Sequence, residues 1–185
     1  EPGSHSIIVD VKGDYPWSDV ANVSARTDTR VSPIEVPLTV TRTPVTQDQG
    51  NTANSLLAAY RLPDEQHPLV MENGTANVYV LQNRVVASPA TTTGATPPAY
   101  LCVGGSCATT VIFAPIAPLR AVLPYPGRTD AIIVSYSDTL AVLELNPLKP
   151  QFFAPLLQGI QPAAVVFDAH DIAVRDAGKT FLIAF

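Results

Sequence analysis

The sequence is poor in lysine and in charged residues as a whole. Only 3 of its 185 residues are lysine, charged residues make up 15% of the chain, and the formal net charge is −5. A phosphate backbone is bound by clusters of lysine and arginine, and the sequence contains no such cluster. We therefore expect no nucleic-acid partner for this chain.

Long hydrophobic runs are missing too. The most apolar long stretch, residues 108–123, is interrupted by Pro115, Pro118 and Arg120, whereas a membrane-spanning helix needs about 20 mostly apolar residues. We expect no membrane insertion. Hydrophobic residues nonetheless make up 46% of the chain, which excludes an intrinsically disordered chain. A domain of this length can bury roughly 70% of the surface that its unfolded chain exposes.

The chain length suits a single domain, which we place at residues 6–185. Residues 1–5 contain no Met, no basic segment and no apolar segment, and we interpret them as a tag or a processed end. The last residues, 180–185, are strongly apolar. Such an ending indicates a piece excised from a longer polypeptide.

Alternation of apolar and polar residues with a period of two is the main structural pattern. Residues 34–41 alternate in this way, and Pro37, which cannot donate a ladder hydrogen bond, predicts an edge strand there. Turn residues at 82–83, 104–105 and 137–138 predict hairpins. The 18 prolines exclude long helices. We predict an all-β fold, an antiparallel β-barrel or sandwich with long loops and little helix.

Four segments fit no plain strand pattern. Residues 54–60 fit a short helix or a strand equally well, and residues 152–160 have room for a helical turn between two prolines. Residues 43–52 and 88–98 have no buried-face pattern and are rich in Thr. For these last two segments we predict long surface loops, the usual place for recognition on a rigid scaffold.

The two cysteines, Cys102 and Cys107, enclose Gly104 and Gly105. A two-residue turn at these glycines would place the cysteines opposite each other on paired strands. Directly opposed residues lie about 4.5 Å apart at Cα, near the lower limit for a disulfide. The pattern predicts a hairpin that holds either a disulfide or two reduced thiols.

Two groups of residues are candidates for chemistry. Asp168 and His170 fall on one face of an extended segment and could ligate a metal, but a stable site needs three or four ligands. Ser106 lies one residue away from a nucleophile-elbow pattern, yet β-branched residues follow it where the elbow requires a helix. We therefore expect no catalytic residue, no metal and no cofactor.

Recognition residues are expected in loops and beside aromatic side chains, because aromatic residues carry much of the energy of binding. For the aromatic candidates, a place in the core is the alternative interpretation. The candidate binding residues are Thr91, Thr92 and Thr93 in the second long loop, Asp64, Glu65 and Gln66 in a shorter one, and Tyr15, Trp17 and Tyr100.

The overall character of the chain carries one resemblance. It is nearly free of helix, rich in Thr, Val, Ala and Pro, and has an uncharged loop at 91–98. In these respects it resembles the spike or projection domains of small non-enveloped virus capsids, of the astrovirus and hepevirus kind. The resemblance implies a homodimer on the virion surface that attaches to a host-cell receptor, protein or glycan, presents antibody epitopes and has no enzymatic activity.

The last third of the chain carries a second resemblance. Residues 131–145, 159–167, 170–174 and 177–182 follow the strand and turn order of a β-propeller blade and resemble one. A complete propeller needs at least four blades of about 40 residues, and residues 6–100 show no matching period. This resemblance implies an extracellular or cell-surface binding module, adhesin-like or derived from a propeller. An enzyme that uses Ser106 or His170 is the third hypothesis.

Overall fold

The computed structural model describes residues 3–23, 33–37, 40–90, 96–148 and 151–185. These residues form an all-β fold with antiparallel pairing throughout and one α-helix, which confirms the predicted fold class. The strands are β1 Gly3–Val9, β2 Trp17–Val23, β3 Arg42–Pro44, β4 Leu69–Met71, β5 Ala76–Leu81, β6 Arg84–Pro89, β7 Cys102–Val103, β8 Ser106–Cys107, β9 Thr110–Phe113, β10 Leu119–Pro124, β11 Ala131–Tyr136, β12 Thr139–Glu144, β13 Phe153–Gln158, β14 Ala163–Val166, β15 Asp171–Asp176 and β16 Lys179–Ala184. The α-helix is α1, Gln47–Ala59, and short 3-10 turns span Glu72–Gly74 and Ala99–Leu101.

Three four-stranded antiparallel sheets form the body of the molecule. Sheet I has the strand order β4-β5-β6-β9, and sheet II has the order β10-β11-β12-β13. Sheet III has the order β14-β15-β16-β3, so its fourth strand comes from a segment that precedes sheet I in the chain. The hairpins β1-β2 and β7-β8 are separate two-stranded sheets. Among the described helices, none is long and apolar enough to cross a membrane.

Sheet II is buried on both of its faces. Residues such as Ile132 and Leu143 pack with the core residues of sheet I, whereas Ile133 and Leu140 pack with those of sheet III. A strand buried on both sides needs apolar residues at every position. This requirement explains why β11 and β12 have almost continuous hydrophobic sequences instead of alternating ones.

The helix α1 begins inside the first predicted long loop, so that prediction for residues 43–52 is wrong. Thr46 caps the helix: its side chain accepts a hydrogen bond from Gln49 N–H, and the Gln49 side chain accepts one from Thr46 N–H. This capping box starts a segment without proline, which runs from residue 45 to residue 62. Ala53 on the inner side of α1 packs against the outer face of sheet III.

Two further predictions are corrected, one of a strand and one of a helical turn. Residues 34–36 form no strand, and Pro37 makes only an isolated bridge with Asp14, although Ile34 and Val36 are fully buried as the alternation predicted. Residues 152–160 hold no helical turn, since most of them form β13. Pro155 is tolerated there because β13 is the edge strand of sheet II.

The predicted hairpin turns are confirmed. Gln82 and Asn83 have φ angles of 49° and 62° and connect β5 to β6, while Ser137, with φ 47°, begins the turn from β11 to β12. Gly104 and Gly105 also have positive φ, and Cys102 and Cys107 form the disulfide. These left-handed turns match the twist of paired strands. The predicted surface loop 88–98 begins later than expected, because β6 extends to Pro89.

The turn before β14 requires glycine at position 159. A Cβ atom on Gly159 would lie 2.6 Å from the Cγ atom of Asp176, whose Oδ1 atom accepts hydrogen bonds from Ile160 N–H and Gln161 N–H. We predict that Gly159→Ala lowers the free energy of unfolding by about 1–3 kcal/mol, the usual effect of overpacking. Urea denaturation followed by circular dichroism would measure this change.

Asp176→Ala provides the control for the Gly159 prediction. Without the Asp176 carboxylate, the added methyl group has space, so the same glycine substitution should cost much less in the Asp176→Ala background. An equal loss in both backgrounds would show that steric conflict with Asp176 is not the cause.

Candidate functional site

The first strands of the three sheets lie next to one another. β10 contacts β14 on one side and β4 on the other, and each of these strands has only one hydrogen-bonded neighbour in its own sheet. The unpaired edges of three strands therefore converge in one region. Backbone N–H and C=O groups at such edges need partners from elsewhere.

A cavity of about 540 Å³ lies in this region, and we call it the axial cavity. All three first strands contribute to its wall, together with the segment that connects α1 to β4. Most of the lining side chains are aliphatic or proline. The lining residues are Leu69 of β4, Val122, Leu123 and Pro124 of β10, Val165 and Val166 of β14, and Tyr60, Arg61, Leu62, Pro63, Asp64 and His67 of the connecting segment.

Tyr60 joins the end of α1 to the unpaired edge of β10. Its hydroxyl group donates a hydrogen bond to Val122 C=O and accepts one from Val122 N–H, both at 2.9 Å. One side chain thus satisfies the two backbone groups that a neighbouring strand would otherwise satisfy. Burial raises the pKa of Tyr60, and the hydrogen bond with the Val122 backbone acts in the opposite direction. The phenol therefore stays protonated and can donate.

The rim of the axial cavity is a turn fixed by Asp64. Its Oδ1 atom accepts hydrogen bonds from Gln66 N–H at 2.9 Å and from His67 N–H at 2.8 Å, and it lies 3.1 Å from His67 Nδ1. The hydrogen bond from the His67 backbone is the main cause that lowers the pKa of Asp64. Arg61 extends the rim and donates to Tyr60 C=O. Asp64, Glu65 and Gln66 are exposed, so this predicted loop borders the cavity.

A second, smaller cavity of about 350 Å³ lies on the other side of Pro124 and Val166, beside Asp168. Asp168 Oδ1 accepts hydrogen bonds from His170 N–H and Asp171 N–H, so this carboxylate holds a turn. The Asp168 carboxylate, a candidate metal ligand in the sequence, is thus engaged with the backbone of this turn. Among the described residues, no three His, Cys, Asp or Glu side chains are grouped as metal ligands.

Two aromatic binding candidates are corrected by their burial. Trp17 is only 4% exposed and packs with Ile34 in the main core, while Tyr100 is 5% exposed and its hydroxyl group donates to Glu72 Oε1. Both side chains are core residues instead of exposed anchors. Tyr15 is half-buried, and its N–H donates to Val36 C=O.

The remaining sequence candidates do not meet at one place. Ser106 is exposed on the short hairpin strand β8. Thr91, Thr92 and Thr93 lie outside the described residues, and their role in recognition stays a prediction. Of the candidates that the structure describes, only the Asp64 loop lies at the axial cavity.

Sequence reasoning missed the residues that form the cavity itself. The sequence predicts Tyr60 only as the last residue of a helix or strand, and Leu69, Val122 and Val165 resemble ordinary strand residues. The only signal for them was the blade-like spacing of strands in the last third, because it implies that the first strands of successive sheets lie together.

Comparisons with protein-family models, with curated proteins and with solved structures found no match. The site is therefore interpreted from its own geometry.

The hydrogen bonds of Tyr60 predict a measurable effect on stability. Tyr60→Phe removes the partner of both Val122 backbone groups, so we expect the free energy of unfolding to fall by about 1–3 kcal/mol. Tyr136→Phe is the matched control, since the Tyr136 hydroxyl group makes no hydrogen bond with the described residues. Urea denaturation should give a change below about 0.5 kcal/mol for the control. Equal effects of the two substitutions would contradict the role given to Tyr60.

Buried tyrosines predict how stability depends on pH. Burial is the main cause that raises the pKa of Tyr60 and of Tyr100, and it raises that of Tyr125 to about 12. The phenols of the unfolded chain titrate near 10. Above pH 10 the unfolded chain therefore loses protons that the folded chain keeps, so stability is full below that pH and falls as the pH rises toward 12.

Urea midpoints measured between pH 8 and pH 11.5 would test this dependence. Tyr125→Phe should make the decline above pH 10 shallower than in the wild type, because it removes one of the groups that cause it. A flat profile across that range would contradict the assignment.

Proposed function

We propose that this chain is a recognition module, built from propeller-type blades, that binds an apolar side chain of a protein partner in the axial cavity. The observation that carries the proposal is the lining of that cavity by the first strands of all three sheets. A site formed in this way depends on the whole scaffold and not on a single loop.

The arrangement of the sheets supports the propeller-derived class. Four-stranded antiparallel sheets, stacked with their first strands together, are the arrangement of propeller blades. Sheets I and II are formed by successive parts of the chain, while sheet III takes its fourth strand from β3. The three blades that the described residues form are fewer than a closed propeller needs. The hydroxyl group of Tyr60 takes the place of a missing neighbour at the edge of β10.

The chemistry of the axial cavity supports an apolar ligand group. Its volume lies within the range of about 300–1,000 Å³ that is typical of binding sites, and its walls are largely aliphatic. Charged and polar residues, namely Arg61, Asp64 and His67, lie at the mouth. An apolar centre with a polar rim is the usual composition of a pocket that receives an anchor side chain of a protein partner.

The capsid-spike hypothesis stays a prediction, because it depends on composition and not on this site. Both hypotheses hold that the chain functions by binding another molecule. Attachment to a receptor and symmetric dimerisation are its separate consequences.

Selection from a phage-displayed library of random peptides would test the proposed function. We expect the selected peptides to share an aromatic or branched aliphatic residue and to lose at least tenfold in affinity for Leu69→Lys. Val70→Lys is the matched control, because Val70 is the next residue of β4, is 65% exposed and does not line the cavity. Its affinity should stay within twofold of the wild type.

Thermal unfolding of both lysine variants would establish that they are folded. Leu62→Gln, on the wall formed by the connecting segment, is the second variant if Leu69→Lys does not fold. Selected peptides that bind the wild type and the cavity variants equally would overturn the proposal.

A further inference from the structure

A third cavity lies at the opposite end of the same inner strands. It has a volume of about 450 Å³ and is separate from the axial cavity, with which it shares no lining residue. Arg120 comes from the beginning of β10, and Arg175 comes from the end of β15. The lining residues are Arg120, Ile160, Gln161, Ala163, Arg175, Ala177 and Gly178.

The charges that line this cavity are of one sign. Arg120 and Arg175 are its only charged lining residues, and neither guanidinium group forms an ion pair with the described residues. Arg42 and Lys179 line a neighbouring cavity on the other side of Ala177, together with Asp176. In a chain with a net charge of −5, the four cationic side chains at this end outnumber the two nearby carboxylates, Asp138 and Asp176. A local excess of positive charge attracts anions.

Arg120 is held in position before any ligand arrives. Its Nε atom donates to Pro162 C=O at 3.3 Å, and its Nη2 atom donates to Ser137 C=O. Its Nη1 atom has no hydrogen-bond partner among the described residues, and the side chain of Arg175 makes no hydrogen bond with them. A fixed guanidinium group with a free donor is well suited to a planar or tetrahedral oxyanion.

The carboxylates nearby do not neutralise the two arginines by direct contact. Asp176 uses Oδ1 to hold Ile160 N–H and Gln161 N–H, which fixes the wall of the cavity. Burial is the main cause that lowers the pKa of Arg120, while the charges of Asp176 and Asp138 act to raise it. The partly buried cation is thus only partly compensated, and an added anion would complete the compensation.

We propose that the cavity between Arg120 and Arg175 binds an oxyanion, in the form of a phosphate or a carboxylate group of a ligand. The two guanidinium groups contact the oxygen atoms of this anion from two sides. The turn formed by Ala177 and Gly178 forms the wall of the cavity on a third side. This site is independent of the apolar ligand proposed for the axial cavity.

Titration by NMR of the full chain with inorganic phosphate and, separately, with succinate would test the oxyanion site. We expect saturable shifts of the backbone amides of Ile160, Gln161, Ala177 and Gly178 with at least one of the two anions. The anion that binds more tightly identifies the ligand group as phosphate or carboxylate. Sodium chloride at matched ionic strength should produce no saturable shift at these amides.

Arg175→Gln tests the same site by mutation. Arg175 is exposed, so the substitution should leave the thermal unfolding midpoint nearly unchanged while it raises the Kd of the better anion at least tenfold. Arg84→Gln is the matched control, because Arg84 is also an exposed arginine on a strand but lies in sheet I. It should change the Kd by less than twofold.

Several results would overturn the proposal. These are an absence of saturation with both anions, equal shifts with chloride, or an Arg175→Gln variant that binds as the wild type does. Peptide binding at the axial cavity is measured separately, so failure of either proposal leaves the other to be judged by its own experiment.

Discussion

The stacking of sheet II between two other sheets is the constraint on which the rest of the structure depends. A sheet with one apolar face must cover that face with another layer, and sheet II has two such faces. Ile132 and Ile133 are adjacent in sequence, yet they belong to different cores and are both fully buried. This double burial aligns the first strands β4, β10 and β14, and the axial cavity exists because these strands meet.

Stacked sheets leave strand edges that must be protected, and this chain protects them by different means. The outer edge of sheet II contains Pro155, which cannot donate to an added strand. The inner edge of the same sheet is protected by the hydroxyl group of Tyr60, which pairs with both backbone groups of Val122. In sheet III, β3 covers the edge of β16 and is itself the outer strand, which is only 3 residues long. Edges protected in this way resist unspecific strand addition, which leaves the cavities as the proposed recognition sites.

Local features could be predicted from the sequence, and features that depend on distant contacts could not. The hairpins at 82–83 and 137–138 follow from turn residues between two apolar runs, and the Gly104-Gly105 turn aligned the two cysteines for the disulfide. The pairing of β3 with β16 joins segments that are far apart in the chain, and no local pattern specifies it. The start of α1 was missed because its capping box lies in a polar segment that resembles a loop. Trp17 and Tyr100 show that residue type alone does not decide between a core position and an exposed one.

The same hydrogen-bonding arrangement recurs beside three of the cavities. Three aspartates each accept hydrogen bonds from two backbone N–H groups of the turn beside them: Asp64 at the mouth of the axial cavity, Asp168 at the smaller cavity and Asp176 at the oxyanion site. A turn held in this way loses little conformational freedom when a ligand arrives, which lowers the entropic cost of association. The strands of the stacked sheets are equally fixed by their burial. Loops and sheets together therefore offer preformed surfaces. The two ends of the inner strands differ, aliphatic at one and with two arginines at the other, and this difference is why we propose an apolar group for the first and an oxyanion for the second.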